Sequence, residues 1–282
     1  MIQDIQPDVF NNEYIPRAPR NHDYVLYFLA GKKVLVRNDQ KTICFPTVKE
    51  LFDPAGDQLQ YLFSISGKRF YLASRCELPE PAGWHYESFM QLNREEPAVY
   101  RFAAATGYHL FNWYRRNRFC GCCGTEMRPV QKLRALQCPA CGDMVFPRLD
   151  PAVIAAVVDG KKDKILVTRY RGRAFKGAAL IAGFCEIGET VEDTVRREVM
   201  EEAGICVGRM QYYKSQPWGQ DANLLVGFFV EADSTQSIHR DREELSAAAW
   251  VDRDAIPKDY SPVSLTGEMM EYFRDHGSPF SR

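Results

Sequence analysis

Residues 183–205 read GFCEIGETVEDTVRREVMEEAGI, and five of the ten from Arg196 to Ile205 are charged. Thr190 with Asp193 three places on has the form of a capping box, which starts a helix at Val191, and Gly204 is well placed to stop it. Between them Glu198, Glu201 and Glu202 stand at i, i+3 and i+4 and so share one face. Val191, Val195 and Val199 fall on another face that can pack on a sheet. Like charges at that spacing destabilise a bare helix. Carboxylate oxygens are also the hard ligands that Mg²⁺ and Mn²⁺ prefer, so divalent cations would turn the repulsion into a binding site. The alternative is an exposed Glu-rich helix with no ligand, and the loop ahead of the helix decides between the two.

The surrounding sequence reads as strands mixed with helices. AVIAAVVDG and KILVTRY are strands joined by a Gly-Lys-Lys-Asp turn, and ALIAGF leads into the acidic segment. GRMQYYKS, NLLVGFFVEA and AAAWVD supply further strands, and a last helix begins near Ser264. This order gives an α+β fold with helices packed on a mixed sheet rather than a regular βαβ alternation. Upstream, residues 1–95 are β-rich. DYVLYFLAGKKVLVRND and QYLFSISGKRFYLAS each read as two strands around a Gly-Lys turn. The prolines and glycine of ELPEPAGWHYES make a connector. Residues 96–117 are helical, with Val99, Phe102, Ala103, Leu110 and Trp113 near one face and Gly107 weakening the pattern. A cysteine module at 118–145 precedes the domain at 146–282.

Nine cysteines in a chain of 282 residues would suit a disulfide framework only in a secreted protein. MIQDIQPDVF is too polar for a signal peptide, and no apolar run approaches the ~20 residues of a membrane span, so a cytoplasmic location without membrane partners is expected. The net charge of −1 gives no overall pull toward nucleic acid or anionic lipid. In a reducing compartment clustered cysteines point to metal. Cys120/Cys123 and Cys138/Cys141 form two C-x-x-C knuckles with fourteen residues between them, each followed by glycine. Four thiolates suit tetrahedral zinc in a closed, structural site. Cys122 has the wrong spacing for a ligand. Buried free thiols or a redox pair are the competing readings. The flanking Arg115, Arg116, Arg118, Arg128, Lys132 and Arg134 are either a solvated face or a nucleic-acid contact.

The loop and helix resemble a known family. Gly183-x₅-Glu189-x₇-Arg197-Glu198-Val199-x-Glu201-Glu202-x-Gly204-Ile205 matches the Nudix box at nine specified positions. The resemblance implies a Nudix hydrolase, which cleaves nucleoside diphosphates linked to another group, on an α/β/α sandwich with a mixed sheet. It further implies Glu198 and Glu202 as metal ligands with Glu201 close behind, the Ala182 carbonyl as another, and an Arg197–Glu189 pair bracing the loop. One of the helix glutamates would serve as general base.

FCGCCGTEM…QCPACG…FPR, set directly before the box, resembles the zinc ribbon of the NADH pyrophosphatase (NAD⁺ diphosphatase) group, in which a β-rich domain also comes first. Ser215-Gln216-Pro217-Trp218 resembles the start of that group's SQPWPFPxS signature. The second half departs from it, with Gly219-Gln220-Asp221-Ala222 and then Asn223 for the closing Ser. Gln216, Trp218 and Asn223 are thereby substrate-binding candidates, Trp218 having a core role as its alternative. Phe146 and Phe184 match aromatic positions of the group, where rings stack on nicotinamide or adenine or belong to the core. Glu244, six residues before Trp250, fits E-x-x-x-A-x-W and implies a further metal ligand or catalytic carboxylate, and Gly267 matches a small residue whose backbone contacts substrate.

The resemblance therefore implies a homodimeric, Mg²⁺- or Mn²⁺-dependent diphosphatase that converts NAD(H) to nicotinamide mononucleotide and AMP and removes NAD caps from RNA. Its rivals are a Nudix hydrolase of ADP-ribose or dinucleoside polyphosphates, and a nucleic-acid-binding regulator with a non-catalytic Nudix domain. The intact box argues against the last.

Overall fold

The computed structural model describes residues 1–29, 31–39, 42–52, 59–73, 80–89, 97–173, 175–261 and 263–280. The chain forms two compact units: Ile2–Arg148 with Gly219–Ala222, and Met1 with Leu149–Trp218 and Asn223–Arg282. The domain boundary read at residues 95 and 96 and the Glu77–Pro79 part of the connector lie outside the described residues.

The first unit contains β1 (Phe10–Asn11), β2 (Tyr24–Leu26), β3 (Phe28–Leu29), β4 (Lys33–Asp39), β5 (Thr42–Cys44), α1 (Val48–Leu51), β6 (Leu59–Ile65), β7 (Lys68–Ala73), β8 (His85–Ser88), α2 (Ala98–Arg116), β9 (Arg128–Pro129), β10 (Leu136–Gln137) and β11 (Met144–Val145). One sheet runs β1-β6-β7-β2, a second runs β3-β4-β5 with β8 beside β4, and the small ribbon sheet runs β11-β10-β9. The second hairpin forms as read, though its two-residue turn is Ser66-Gly67, both at positive φ, and Lys68 already belongs to the strand.

The first hairpin differs from the reading. Its leading strand divides at Tyr27: β2 pairs in parallel with β7, and only β3 returns antiparallel against β4. The cause is burial on both faces. Val25 and Tyr27 enter one apolar cluster with Leu35, whereas Leu26 and Phe28 enter another with Val34 and Phe102. Helix α2 runs unbroken through Gly107, where a Cβ would sit 2.3 Å from Leu26 Cδ1. The residue that weakens the helical pattern is the one that lets α2 approach β2.

The second unit contains β12 (Asp150–Asp159), β13 (Lys164–Tyr170), β14 (Ile181–Phe184), α3 (Val191–Ala203), β15 (Met210–Trp218), β16 (Asn223–Glu231), β17 (Leu245–Asp252) and α4 (Leu265–His276). Its sheet has the order β15-β16-β12-β13-β17, with β14 also on β12; β12 and β16 are parallel and the other pairs antiparallel. Alternate residues of β12 explain its nearly continuous apolar run. Val153, Ala155 and Val157 pack with Val195, Val199 and Ala203 of α3. Ile154, Ala156 and Val158 pack with Leu265, Met269, Met270 and Phe273 of α4. A strand covered on both faces needs apolar residues at every position, and the result is an α/β/α sandwich. Val195 and Val199 are fully buried, each contributing about 1.5–3 kcal/mol by area. That burial outweighs the ~0.5 kcal/mol scale of like-charge repulsion along α3.

Candidate active site

The acidic helix is fixed at both ends by its own residues. Thr190 Oγ1 accepts the Asp193 N–H at 3.1 Å, and Gly204 ends α3 at φ +68° with its N–H on the Met200 carbonyl. From that frame Arg197 reaches back across the loop. Its guanidinium donates to both Glu189 oxygens (2.6 and 2.9 Å), the Phe184 carbonyl (2.9 Å), Glu198 Oε1 (2.7 Å) and Glu201 Oε2 (3.0 Å). Glu189 also accepts the Glu186 N–H and the Thr194 hydroxyl. Arg197 hydrogen bonds, followed by that backbone bond, hold the Glu189 carboxyl down at about 2. Arg197 thus supplies positive charge to three carboxylates at once and ties residues 184–189 to the helix.

Glu202, one turn on from Glu198, is only 2% exposed. The Tyr170 hydroxyl, at the end of β13, stands 3.0 and 3.1 Å from its two oxygens and accepts the Ala182 N–H at 2.9 Å. Burial pushes the Glu202 carboxyl up to about 8; Tyr170 pulls the other way, and the charges of Glu244 and Glu198 add to the rise. Glu198 is likewise raised, by burial first, against the pull of Arg197. Glu244 is exposed just before β17, close enough for its charge to act on both. Gly183 explains how Glu198 lies so close to the sheet: a Cβ there would fall 1.9 Å from the Glu198 carboxyl carbon.

The donors around this point are the oxygens of Glu198, Glu202, Glu244 and the Ala182 carbonyl, a set that fits a hard divalent cation. Glu201 is more exposed (59%) and engaged by Arg197. The carboxylates of α3 are not drawn together as the ribbon thiols are. Among the described residues, groups of three or more ligand atoms within 4.8 Å of one another occur only in the ribbon.

There the four sulfurs of Cys120, Cys123, Cys138 and Cys141 form one such group, with recorded separations of 3.4–3.6 Å. Zinc–sulfur bonds of ~2.3 Å in a tetrahedron require sulfurs ~3.8 Å apart, so the set fits zinc. The two knuckles repeat one another. Gly124 N–H bonds the Cys120 carbonyl and Gly142 N–H the Cys138 carbonyl, while Cys120 and Cys138 N–H groups bond the Thr125 and Asp143 carbonyls. Both glycines have positive φ, which the turn requires. Cys122 is exposed and stands apart from the four, in a second group with Cys120 and Asp143. Of the flanking cations, Arg118 pairs with Glu126 and Arg134 donates to Asn12.

The substrate candidates fare differently. Ser215–Trp218 form the end of β15, with Trp218 half-buried and opposite Asn223. The Gln216 side chain is turned into the protein. It is fully buried; its amide nitrogen donates to the Val263 carbonyl at 2.9 Å, and its oxygen accepts the Leu265 N–H at 2.8 Å, anchoring the start of α4. The Gly267 N–H serves the Ser264 cap, and a Cβ there would meet the Ser261 carbonyl at 2.2 Å. Asn223 Oδ1 is shut off from solvent with no partner among the described residues. Phe184 in the second unit and Phe146 in the first are 55% and 54% exposed, so neither is a core ring. The residue that the sequence reading missed is Tyr170, since a tyrosine ending an apolar strand carries no mark of its partner.

Residues 148–269 match the NUDIX domain and residues 115–146 the NADH pyrophosphatase zinc ribbon domain. Nudix hydrolase 19, chloroplastic, of Arabidopsis thaliana is 39% identical over 205 residues, covering 70% of this chain and 45% of that protein. NAD-capped RNA hydrolase NudC of Salmonella typhi is 36% identical over 168 residues, covering 60% of this chain and 64% of the relative. The protein of that name from Salmonella typhimurium is 34% identical over 184 residues, covering 65% and 70%. The matched stretch thus spans less than two thirds of the first two relatives. The chain belongs to the Nudix hydrolase family, in the group that carries the NADH pyrophosphatase zinc ribbon.

Proposed function

We propose that this protein is a diphosphatase dependent on Mg²⁺ or Mn²⁺ that hydrolyses NAD(H) to nicotinamide mononucleotide and AMP and removes NAD caps from RNA. The observation that carries the reading is the convergence of Glu198, Glu202 and the Ala182 strand on one side of α3, within reach of the Glu244 charge. The names of the Salmonella relatives support the substrate class. Glu198, Glu202, Glu244 and the Ala182 carbonyl would hold the cations, with Glu201 as a further ligand, and Arg197 with Glu189 keeps the loop in place. When bound, the metal neutralises the pyrophosphate, acidifies a water and stabilises charge on the phosphorus oxygens. In the reaction a water oxygen would bond to one phosphorus as the bridging P–O bond breaks, and the second nucleotide would leave with its phosphate. The proton of the water passes to a carboxylate of α3 or to Glu244. The exposed Phe184 ring is available for a base or nicotinamide, and Trp218 and Asn223 flank the same hairpin. The four ribbon thiolates hold a structural zinc. The protein acts as a cytoplasmic homodimer; no described helix is long and apolar enough to cross a membrane.

A second reading is favoured by two observations. Gln216 serves α4, and the loop after Trp218 lacks the Pro-Phe-Pro of the signature, which supports a Nudix hydrolase of ADP-ribose or dinucleoside polyphosphates. The test is incubation with Mn²⁺ or Mg²⁺ and, separately, NADH, NAD⁺, NAD-capped RNA, ADP-ribose and a dinucleoside polyphosphate, with products resolved by chromatography. Fastest formation of nicotinamide mononucleotide and AMP from NAD(H), lost in Glu202→Gln, is expected. Faster cleavage of ADP-ribose or the polyphosphate would transfer the assignment to the second reading. Turnover undiminished in Glu202→Gln would overturn the metal site.

A further inference from the structure

We infer that Tyr170 is a positioning residue for the metal site, one hydroxyl that fixes both a ligand on the helix and a ligand on the strand. The inference rests on the reading that Glu202 and the Ala182 carbonyl are cation ligands. A tyrosine hydroxyl has one proton to give and lone pairs to accept with. Here the proton is directed at Glu202, whose oxygens lie 3.0 and 3.1 Å away, whereas the Leu180 and Ala182 carbonyls lie at 3.4 Å. The lone pair takes the N–H of Ala182 at 2.9 Å. Glu202 comes from α3 and Ala182 from β14, so a single atom sets the separation of the two elements where the cation is held.

The ring is fixed as well. Tyr170 is buried, and the Arg173 guanidinium lies 3.4 Å from its ring centre, which leaves the hydroxyl little room to swing. Donation by Tyr170 occupies lone pairs of Glu202 on one side and leaves the carboxylate to meet a cation from the other. Such a partner orients a ligand and removes the entropy it would otherwise lose on binding. Tyr170→Phe keeps the ring and its contact with Arg173. It leaves a buried carboxylate without its donor and the Ala182 N–H without its acceptor.

The experiment is Mn²⁺ titration of the zinc-loaded full chain, followed by the electron paramagnetic resonance of free Mn²⁺, for the native protein, Tyr170→Phe, Tyr170→His and Glu202→Gln. Circular dichroism establishes that each is folded. Tyr170→Phe is expected to bind Mn²⁺ about 10–100-fold more weakly, with the KM for NADH at saturating Mn²⁺ unchanged. Tyr170→His keeps a ring and a donor and should recover part of the affinity, which a purely packing role would not produce. If Glu202→Gln loses affinity while Tyr170→Phe binds as the native protein does, the inference is wrong and the metal reading stands. If Glu202→Gln also binds normally, the metal reading fails and the inference with it. Should Tyr170→Phe fail to fold, Tyr170→His decides: affinity no better than that of Glu202→Gln overturns the positioning role.

Discussion

Binding of a divalent cation should release a proton at neutral pH, and the protonation of Glu202 sets how much. In the metal-free protein this carboxyl is pushed up to about 8, chiefly by burial, with the Glu244 and Glu198 charges adding to the rise and Tyr170 opposing it. At pH 7 a group of that pKa is about nine-tenths protonated, so a cation that takes the carboxylate must displace about 0.9 proton. Between pH 8 and pH 6 the apparent affinity should fall about 50-fold, which corresponds to roughly 2.3 kcal/mol. Glu189, held at about 2 by Arg197, stays ionised throughout and adds nothing to the slope. Calorimetric Mn²⁺ titrations at pH 7 in two buffers of different ionisation enthalpy measure the proton directly, and a series from pH 6 to 8 gives the slope. The same shift fixes a sign for stability. A carboxyl raised in the folded state stabilises the metal-free fold most below its ordinary unfolded value, and that contribution is lost as pH rises through about 8. Melting temperature without metal should therefore fall across this window, and the decline should be absent in Glu202→Gln. Proton release near zero at pH 7, with an affinity flat from pH 6 to 8, would refute the reasoning.

Gly183→Ala places a methyl 1.9 Å from the Glu198 carboxyl carbon and must expel that side chain from the sheet. Catalytic efficiency should fall about 10²-fold, the scale of a 1 Å misplacement, while far-UV circular dichroism stays native; kcat/KM within twofold of the native value would contradict the packing argument. In the ribbon, Cys138→Ser should lose the single zinc, measured colorimetrically after chelator-free purification, whereas Cys122→Ser should retain it. Equal zinc in both variants would show that Cys138 is not a ligand.

What could be read in the sequence is what depends on short spacing. The Thr190 cap, the Gly204 stop, the Ser264 start of α4 and both zinc knuckles each depend on residues fewer than seven apart, so one stretch of chain carries the whole signal. The strands of the second unit were legible for a related reason: continuous apolar runs bounded by turns. The same logic failed in the first unit. DYVLYFL alternates as one strand would, yet its two faces enter different cores, and only the partners Leu35 and Phe102 show where it divides. Gln216 shows the other limit. Its place in a short motif implies a ligand contact, and its amide also bonds Val263 and Leu265, 47 and 49 residues away. A motif marks a residue as required without saying for what.

The crowded helix has a different balance of charge from the one its sequence implies. Divalent cations need not be present for the fold to tolerate Glu198, Glu201 and Glu202. Arg197 already bonds the first two together with Glu189 and offsets part of their charge, and the third is held by burial and by Tyr170 with its proton retained near neutral pH. Capped ends and buried valines support the helix independently of any cation. On the proposed reading a cation would compete on unequal terms for Glu198 and Glu202. At Glu198 it faces Arg197 at one oxygen only, 2.7 Å away, and the other oxygen remains for it. At Glu202 it must displace a proton. On the proposed reading, metal dependence and pH dependence would be one property, set by Glu202, the buried carboxylate of α3 to which Arg197 does not donate.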